Sequence, residues 1–276
     1  MYIAISEEMR YAIRFYMGDP AVVRDGKFRG GATAYNTINA LLHRGIRNEQ
    51  DKLREGRVLE IYDRAHLLQY LQIIEAIDRA MDCTDVAAVQ TVTWRVDRLS
   101  AVRAWTDRSE TEGFYSTCKR GFLPAYAHSK ADVALMEIVR APEVPCLDFE
   151  RLFGPQYAKP EEAEILLPFG AVVQQMEELP LSEAERATFT DRNGNPPRGK
   201  FRLCIGVPQA KPAADPTALL AEIASERAVQ QARQCLILLR DTGTLPPDAL
   251  NFYCRWKDAI RSYFDGLRQQ RKDMMP

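Results

Sequence analysis

The chain has 276 residues, 46% of them hydrophobic and 27% charged, and its 37 Lys+Arg are balanced by 38 Asp+Glu. That composition is of the globular type, and a net charge of −1 supplies no general field to attract nucleic acid or anionic lipid. No run approaches the ~20 apolar residues of a bilayer-spanning helix, while six scattered cysteines without a C-x-x-C and three separated histidines point to reduced thiols in a cytosol, with no metal site.

In chain order, the first twenty residues carry Glu7, Glu8, Arg10 and Arg14 where a signal peptide would be apolar, and they read as an amphipathic helix. From Thr33 to Met81 the pattern is helical. One stretch ends at Gly45, and a second runs from about Val58 with Ile61, Leu68, Leu71, Ile77 and Met81 on its buried side. At Asp85 the texture changes to short segments rich in Val, Ile, Leu and aromatics, at 86–99, 113–127, 134–149, 162–179 and 199–207. Gly, Pro and polar turns separate them, which predicts strands of a mixed or antiparallel sheet. Residues 192–199, RNGNPPRG, read as a surface loop joining two of these strands, and 207–216 as a linker. Asp215 and Pro216 then open a helix expected to reach about Arg240. A last helix spaces Ala249, Tyr253, Trp256, Ile260, Tyr263 and Leu267 by threes and fours, the pattern of core packing against the helix before it. No internal repeat is present.

The chemistry concentrates in KPEEAEILLP, residues 159–168. Glu162 and Glu164 stand at alternate positions at the start of an apolar strand and so project onto one face. Like charges that close raise one another's proton affinity, which suits one as acceptor or base and the other as an anchor for a cationic transition state; a solvated strand edge is the plainer alternative.

Upstream lie Trp94-Arg95 at the end of TVTWR and Ser116-Thr117 at the end of GFYST. An aromatic-Arg, then an aromatic-x-Ser-Thr, then a Glu-x-Glu leading into Ile-Leu-Leu-Pro resembles the Arg–Ser–Glu class of mono-ADP-ribosyltransferases, in the Glu-x-Glu form of arginine-specific bacterial toxins and effectors. The separations, 21 residues from Arg95 to Ser116 and 48 from Ser116 to Glu164, resemble those of compact members. YNTINALL at 35–42 is similar to the family's Ile-Asn-x-x-Leu helix, and IEAIDRA at 74–80 to the helix before its first core strand. The resemblance covers about residues 30–207.

What the resemblance implies is an α+β fold: an ADP-ribosyltransferase-like split β-sandwich core with an N-terminal helical lobe and a C-terminal helical pair. The transferase domain would be 1–207, with its helical lobe at about 1–84 and its β core at about 85–207, and 208–276 would be a helical extension. The implied activity transfers ADP-ribose from NAD, as substrate, to a protein side chain with release of nicotinamide and without a metal. Glu164 would stabilise the oxocarbenium-like charge and hold the nicotinamide ribose, Ser116 would orient it, and Arg95 would grip the phosphates with its forked cation. Thr117 would support the serine strand, Trp94 would flank the arginine, and Tyr126 would lie against nicotinamide, although it and Phe122 fit core packing equally well. Glu162 would select arginine as acceptor. Tyr157, in the loop FGPQYAKP, would serve target recognition or sit in a plain Pro-flanked turn.

Phe28-Arg29-Gly30 offers a competing arginine, closer to the family's aromatic-Arg-Gly string; Val96 replaces the small residue usual after the arginine. Cys118 reads as packing, and His128 as a surface or core histidine outside the chemistry. Two other functions use the same residues: an NAD glycohydrolase with water as acceptor, and a catalytically idle copy that binds through its C-terminal helices. The expected partners are NAD and a host or cellular target protein, not nucleic acid or membrane. The expected setting is a bacterial effector reaching host cytoplasm by a non-classical route, with residence in the bacterial cytoplasm as the alternative.

Overall fold

A computed structural model describes residues 5–19, 22, 34–56, 63–84, 89–105, 110–154, 163–208 and 214–274. They fall into two compact units, one drawn from Ala4–Ala80 together with Ala210–Pro276 and the other from Met81–Gln209. None of the six cysteines forms a disulfide. Among the described residues no helix is long and apolar enough to cross a membrane.

The helical unit begins with Glu7–Tyr16, capped by Ser6, whose hydroxyl accepts from the Met9 amide. Its buried Met9, Ala12, Ile13 and Tyr16 recur every three or four residues, as the amphipathic pattern requires. Helices Ala34–Leu42 and Arg64–Asp82 follow; the expected start of the second near Val58, with Ile61, lies outside the described residues. Between them lies an unexpected helix, Arg47–Arg54, whose sequence RNEQDKLR carries almost no apolar stripe. The single helix expected from Asp215 to Arg240 is two, Pro216–Ile223 and Glu226–Thr242. Asp215 caps the first through the Thr217 amide; Ser225 breaks the run and caps the second through Ala228.

The last helix, Pro247–Met274, buries Tyr253, Trp256, Ile260, Tyr263 and Phe264 along one side, each contributing about 2 kcal/mol of burial. Its stripe is core, as the spacing indicates. It also meets the N-terminal helices: Lys257 donates to the Gly45 carbonyl at 2.6 Å and to Glu49, and Arg268 and Arg271 both pair with Asp78. Trp256 donates its indole N–H to the Ile223 carbonyl at 3.0 Å.

The other unit is built on seven strands: β1 Val92–Arg98, β2 Tyr115–Cys118, β3 Val133–Arg140, β4 Leu147–Asp148, β5 Glu164–Leu167, β6 Val172–Leu179 and β7 Lys200–Gly206. Their order is β4-β5-β2-β1-β3-β7-β6, antiparallel throughout except for the parallel pair β3–β7. The sheet is nearly divided. β1 and β2 pair at one position only, Trp94 with Cys118, whereas β1 and β3 pair along seven residues. This seam separates β4-β5-β2 from β1-β3-β7-β6 and gives the α+β class with a split sheet that the resemblance implies.

Alternation along the strands sorts side chains onto two faces. Ala134, Met136 and Ile138 of β3, Ile165 and Leu167 of β5, and Phe201, Leu203 and Ile205 of β7 form the main core. Val96, Val133 and Leu135 pack on the other face with Ala127. Two expectations need correction. Of 113–127 only Tyr115–Cys118 is strand, because Pro124 opens a short helix, Pro124–His128. The turn at 192–199 joins β7 to a helix, Glu183–Thr188, not to a strand; a Ser182–Glu185 capping box starts that helix.

Candidate active site

Glu164, Cys118, Trp94 and Glu137 are successive partners across β5, β2, β1 and β3, so they form one row on one face of the sheet. Ser116 lies two residues from Cys118 on β2, on that same face, opposite Leu166. Ser116 and Glu164 are therefore diagonal neighbours on adjacent strands, with side chains rooted about 7 Å apart. Tyr126, on Pro124–His128, packs beside Val96 on this face. Glu164, Ser116, Trp94 and Tyr126 thus share a surface.

Arg95 and Thr117 point to the opposite face. The Thr117 hydroxyl is buried and donates to the Ile165 carbonyl at 2.9 Å, tying β2 to β5 beside their regular ladder. Arg95 stands at the seam, where the strands part beyond Trp94 and Cys118. Its Nη1 donates to the Ser116 carbonyl at 2.5 Å, its Nε to Asp97 Oδ2 at 2.8 Å, and its guanidinium carbon lies 4.1 Å from the centre of the Tyr115 ring. Arg95 therefore meets the serine through its backbone and not through its hydroxyl.

Behind Arg95 the described charges lie close together. Burial alone would raise the Asp97 carboxyl, but Arg95 and Lys130 hold it below the ordinary range, and the Arg98 amide donates to Oδ1. The Tyr115 hydroxyl reaches Asp97 at 3.5 Å and the Met136 sulfur at 3.3 Å; burial and the nearby carboxylate push its pKa up, so it stays protonated. Lys130 donates to the Val96 carbonyl at 3.1 Å, and burial lowers its pKa. At the other end of the seam the Gln90 amide donates to the carbonyls of Val92 and Lys119.

Asp97, Tyr115 and Gln90 are absent from the residues the sequence singles out. A signal exists for the first: Arg95 and Asp97 are two apart on a strand, which puts them on one face. Tyr115 directly precedes the candidate serine. Gln90 carries no local signal.

Glu162, Tyr157 and Arg29 lie outside the described residues. His128 is exposed, with its Nδ1 3.5 Å from the Thr190 hydroxyl. Cys118 is buried directly opposite Glu164. Among the described residues no group of three or more His, Cys, Asp or Glu is placed to hold a metal ion.

No family model and no curated protein matches the chain. Solved structures with a similar backbone include three bacterial proteins, each 13% identical. The ADP-ribosylating toxin BECa of a binary enterotoxin from C. perfringens, crystallised with NADH, aligns over 74% of this chain and 44% of its own with a TM-score of 0.43. The present chain thus matches less than half of that toxin's length. Vis toxin, an ADP-ribosyltransferase from Vibrio splendidus, aligns over 74% of this chain and 75% of its own at 0.38. The catalytic domain of VahC from Aeromonas hydrophila aligns over 72% and 98% at 0.38. Likeness at this level describes the path of the backbone alone.

Proposed function

We propose that this chain is an NAD-dependent mono-ADP-ribosyltransferase with protein arginine as its acceptor. The observation that carries the proposal is that Ser116 and Glu164 are diagonal neighbours on one face of the sheet, while Arg95, whose side chain leaves the other face, reaches across the seam to the Ser116 carbonyl. Cleavage of the bond between nicotinamide and ribose develops positive charge on the ribose, and a fixed carboxylate is the natural stabiliser of that charge. Glu164 takes that role. Ser116, on the same face, orients the ribose, and Trp94 and Tyr126 offer flat surfaces beside it. Arg95 supplies the permanent forked cation for the diphosphate.

Glu162 is assigned to the acceptor: a carboxylate pairs with an incoming guanidinium and helps make it nucleophilic. Tyr157 is assigned to target recognition. The same proposal places the reaction in the cytoplasm of a host cell.

The test is incubation with labelled NAD and a eukaryotic lysate, reading protein-bound label and released nicotinamide together. The proposal predicts label on discrete proteins, its loss in Glu164→Gln, and, in Glu162→Gln, loss of transfer with nicotinamide release retained. Nicotinamide without protein label would replace transfer by hydrolysis, and neither product would overturn the assignment.

A further inference from the structure

Arginine is useful to a diphosphate only if its fork is aimed before the ligand arrives, because ordering a long side chain on binding costs affinity. Three described residues help hold Arg95. The Asp97 carboxylate accepts from Nε, the Ser116 carbonyl accepts from Nη1, and the Tyr115 ring lies under the guanidinium plane. Two of these come from β2, across the seam; Asp97 comes from β1 itself, two residues on. Asp97 is in turn fixed by the Arg98 amide and the Tyr115 hydroxyl, and Lys130 lies near it. A carboxylate beside the residue that must attract a diphosphate is electrostatically the wrong sign, so its presence there needs a reason beyond charge.

We propose that Asp97 is a positioning residue for NAD: it fixes Nε of Arg95 so that the guanidinium spans the seam with its plane set by Tyr115. This inference rests on the function proposed above and adds a residue to its binding site. It also makes a prediction opposite in sign to simple electrostatics. Removing a negative charge from beside a phosphate site should tighten the site, whereas removing a positioning group should weaken it.

The experiment measures nicotinamide release as a function of NAD concentration for the parent chain, Asp97→Asn, Asp97→Glu, Arg95→Lys and the double variant Asp97→Asn/Arg95→Lys, with thermal midpoints alongside. Asp97→Asn is expected to raise KM for NAD about tenfold while kcat stays within about threefold. Asp97→Glu keeps the charge on a longer arm and should fall between the parent and Asp97→Asn. Lysine has no Nε fork to be fixed, so in the Arg95→Lys background Asp97→Asn should change KM less than about twofold. An unchanged or lowered KM in Asp97→Asn, or the full increase repeated in the lysine background, would overturn the inference while leaving the proposed function standing. Should Asp97→Asn fail to fold, a KM equal to the parent's in Asp97→Glu overturns it equally. A parent chain that neither binds NAD nor releases nicotinamide overturns the function and the inference together.

Discussion

In the helical unit Glu49 and Lys257 meet with side chains 0% and 1% exposed, and Tyr253 adds a hydrogen bond to the same carboxylate at 3.2 Å. At the seam of the sheet Arg95 keeps 30% of its side chain exposed and its partner Asp97 14%. Both are ion pairs on regular elements, but they do different things. The first joins residues 208 apart in sequence and is sealed from water, so its two charges answer to each other and to buried protein groups, not to a ligand. The second joins residues two apart and remains within reach of solvent, so its cation can also serve an anionic ligand.

The largest expected effect that sharpens this contrast is Glu164→Gln. It should lower nicotinamide release at least about hundredfold and leave the thermal midpoint almost unmoved, since Glu164 is half-buried at the first position of β5 and Gln keeps its size. A comparable loss of stability would turn Glu164 into a structural residue. Lys257→Ala should do the reverse. It strands Glu49 in the interior and should cost about 3–5 kcal/mol in denaturant unfolding; a cost under about 1 kcal/mol would break the comparison. A paired replacement by apolar residues, Glu49→Leu with Lys257→Met, should recover most of that loss, because two buried charges removed together leave no orphan.

Next in size is Asp78, which faces Arg268 and Arg271. Burial alone would raise its carboxyl, but the two arginines hold it below its ordinary 3.8. The folded state therefore binds this proton less readily than the unfolded one. Its stabilisation is complete above about pH 4 and fades as pH falls through the depressed native value. Asp78→Asn should lose about 2 kcal/mol at pH 7 and show a shallower acid transition. An unchanged pH profile by thermal melting would contradict the role given to the arginines. The smallest effect is Ser182→Ala, which removes one capping box and should cost about 1 kcal/mol with catalysis untouched.

Much of this organisation is legible locally. Alternating apolar residues mark β7, and a near-continuous apolar run marks β3; the threes and fours of Tyr253, Trp256, Ile260 and Tyr263 mark a buried helix stripe. Ser182 and Glu185 spell the start of a helix in four residues. Helix Arg47–Arg54 is different. Its buried group is Glu49, made tolerable by a lysine two hundred residues later, and no local pattern carries that. The site divides in the same way. Ser116 and Glu164 stand out by motif and order; Asp97 is not singled out, although its spacing from Arg95 puts the two on one face. The seam depends on where β1 and β2 stop pairing, a property of two strands separated by the chain between them, and so do the bonds that cross it from Arg95 and Gln90.

The most direct test of the seam as the NAD site is a crystal structure of the Glu164→Gln variant grown with NAD. The account predicts the diphosphate on the Arg95 guanidinium and the nicotinamide ribose beside Ser116 and residue 164. Density for NAD elsewhere on the molecule, with no ligand atom at the Arg95 guanidinium, would contradict it.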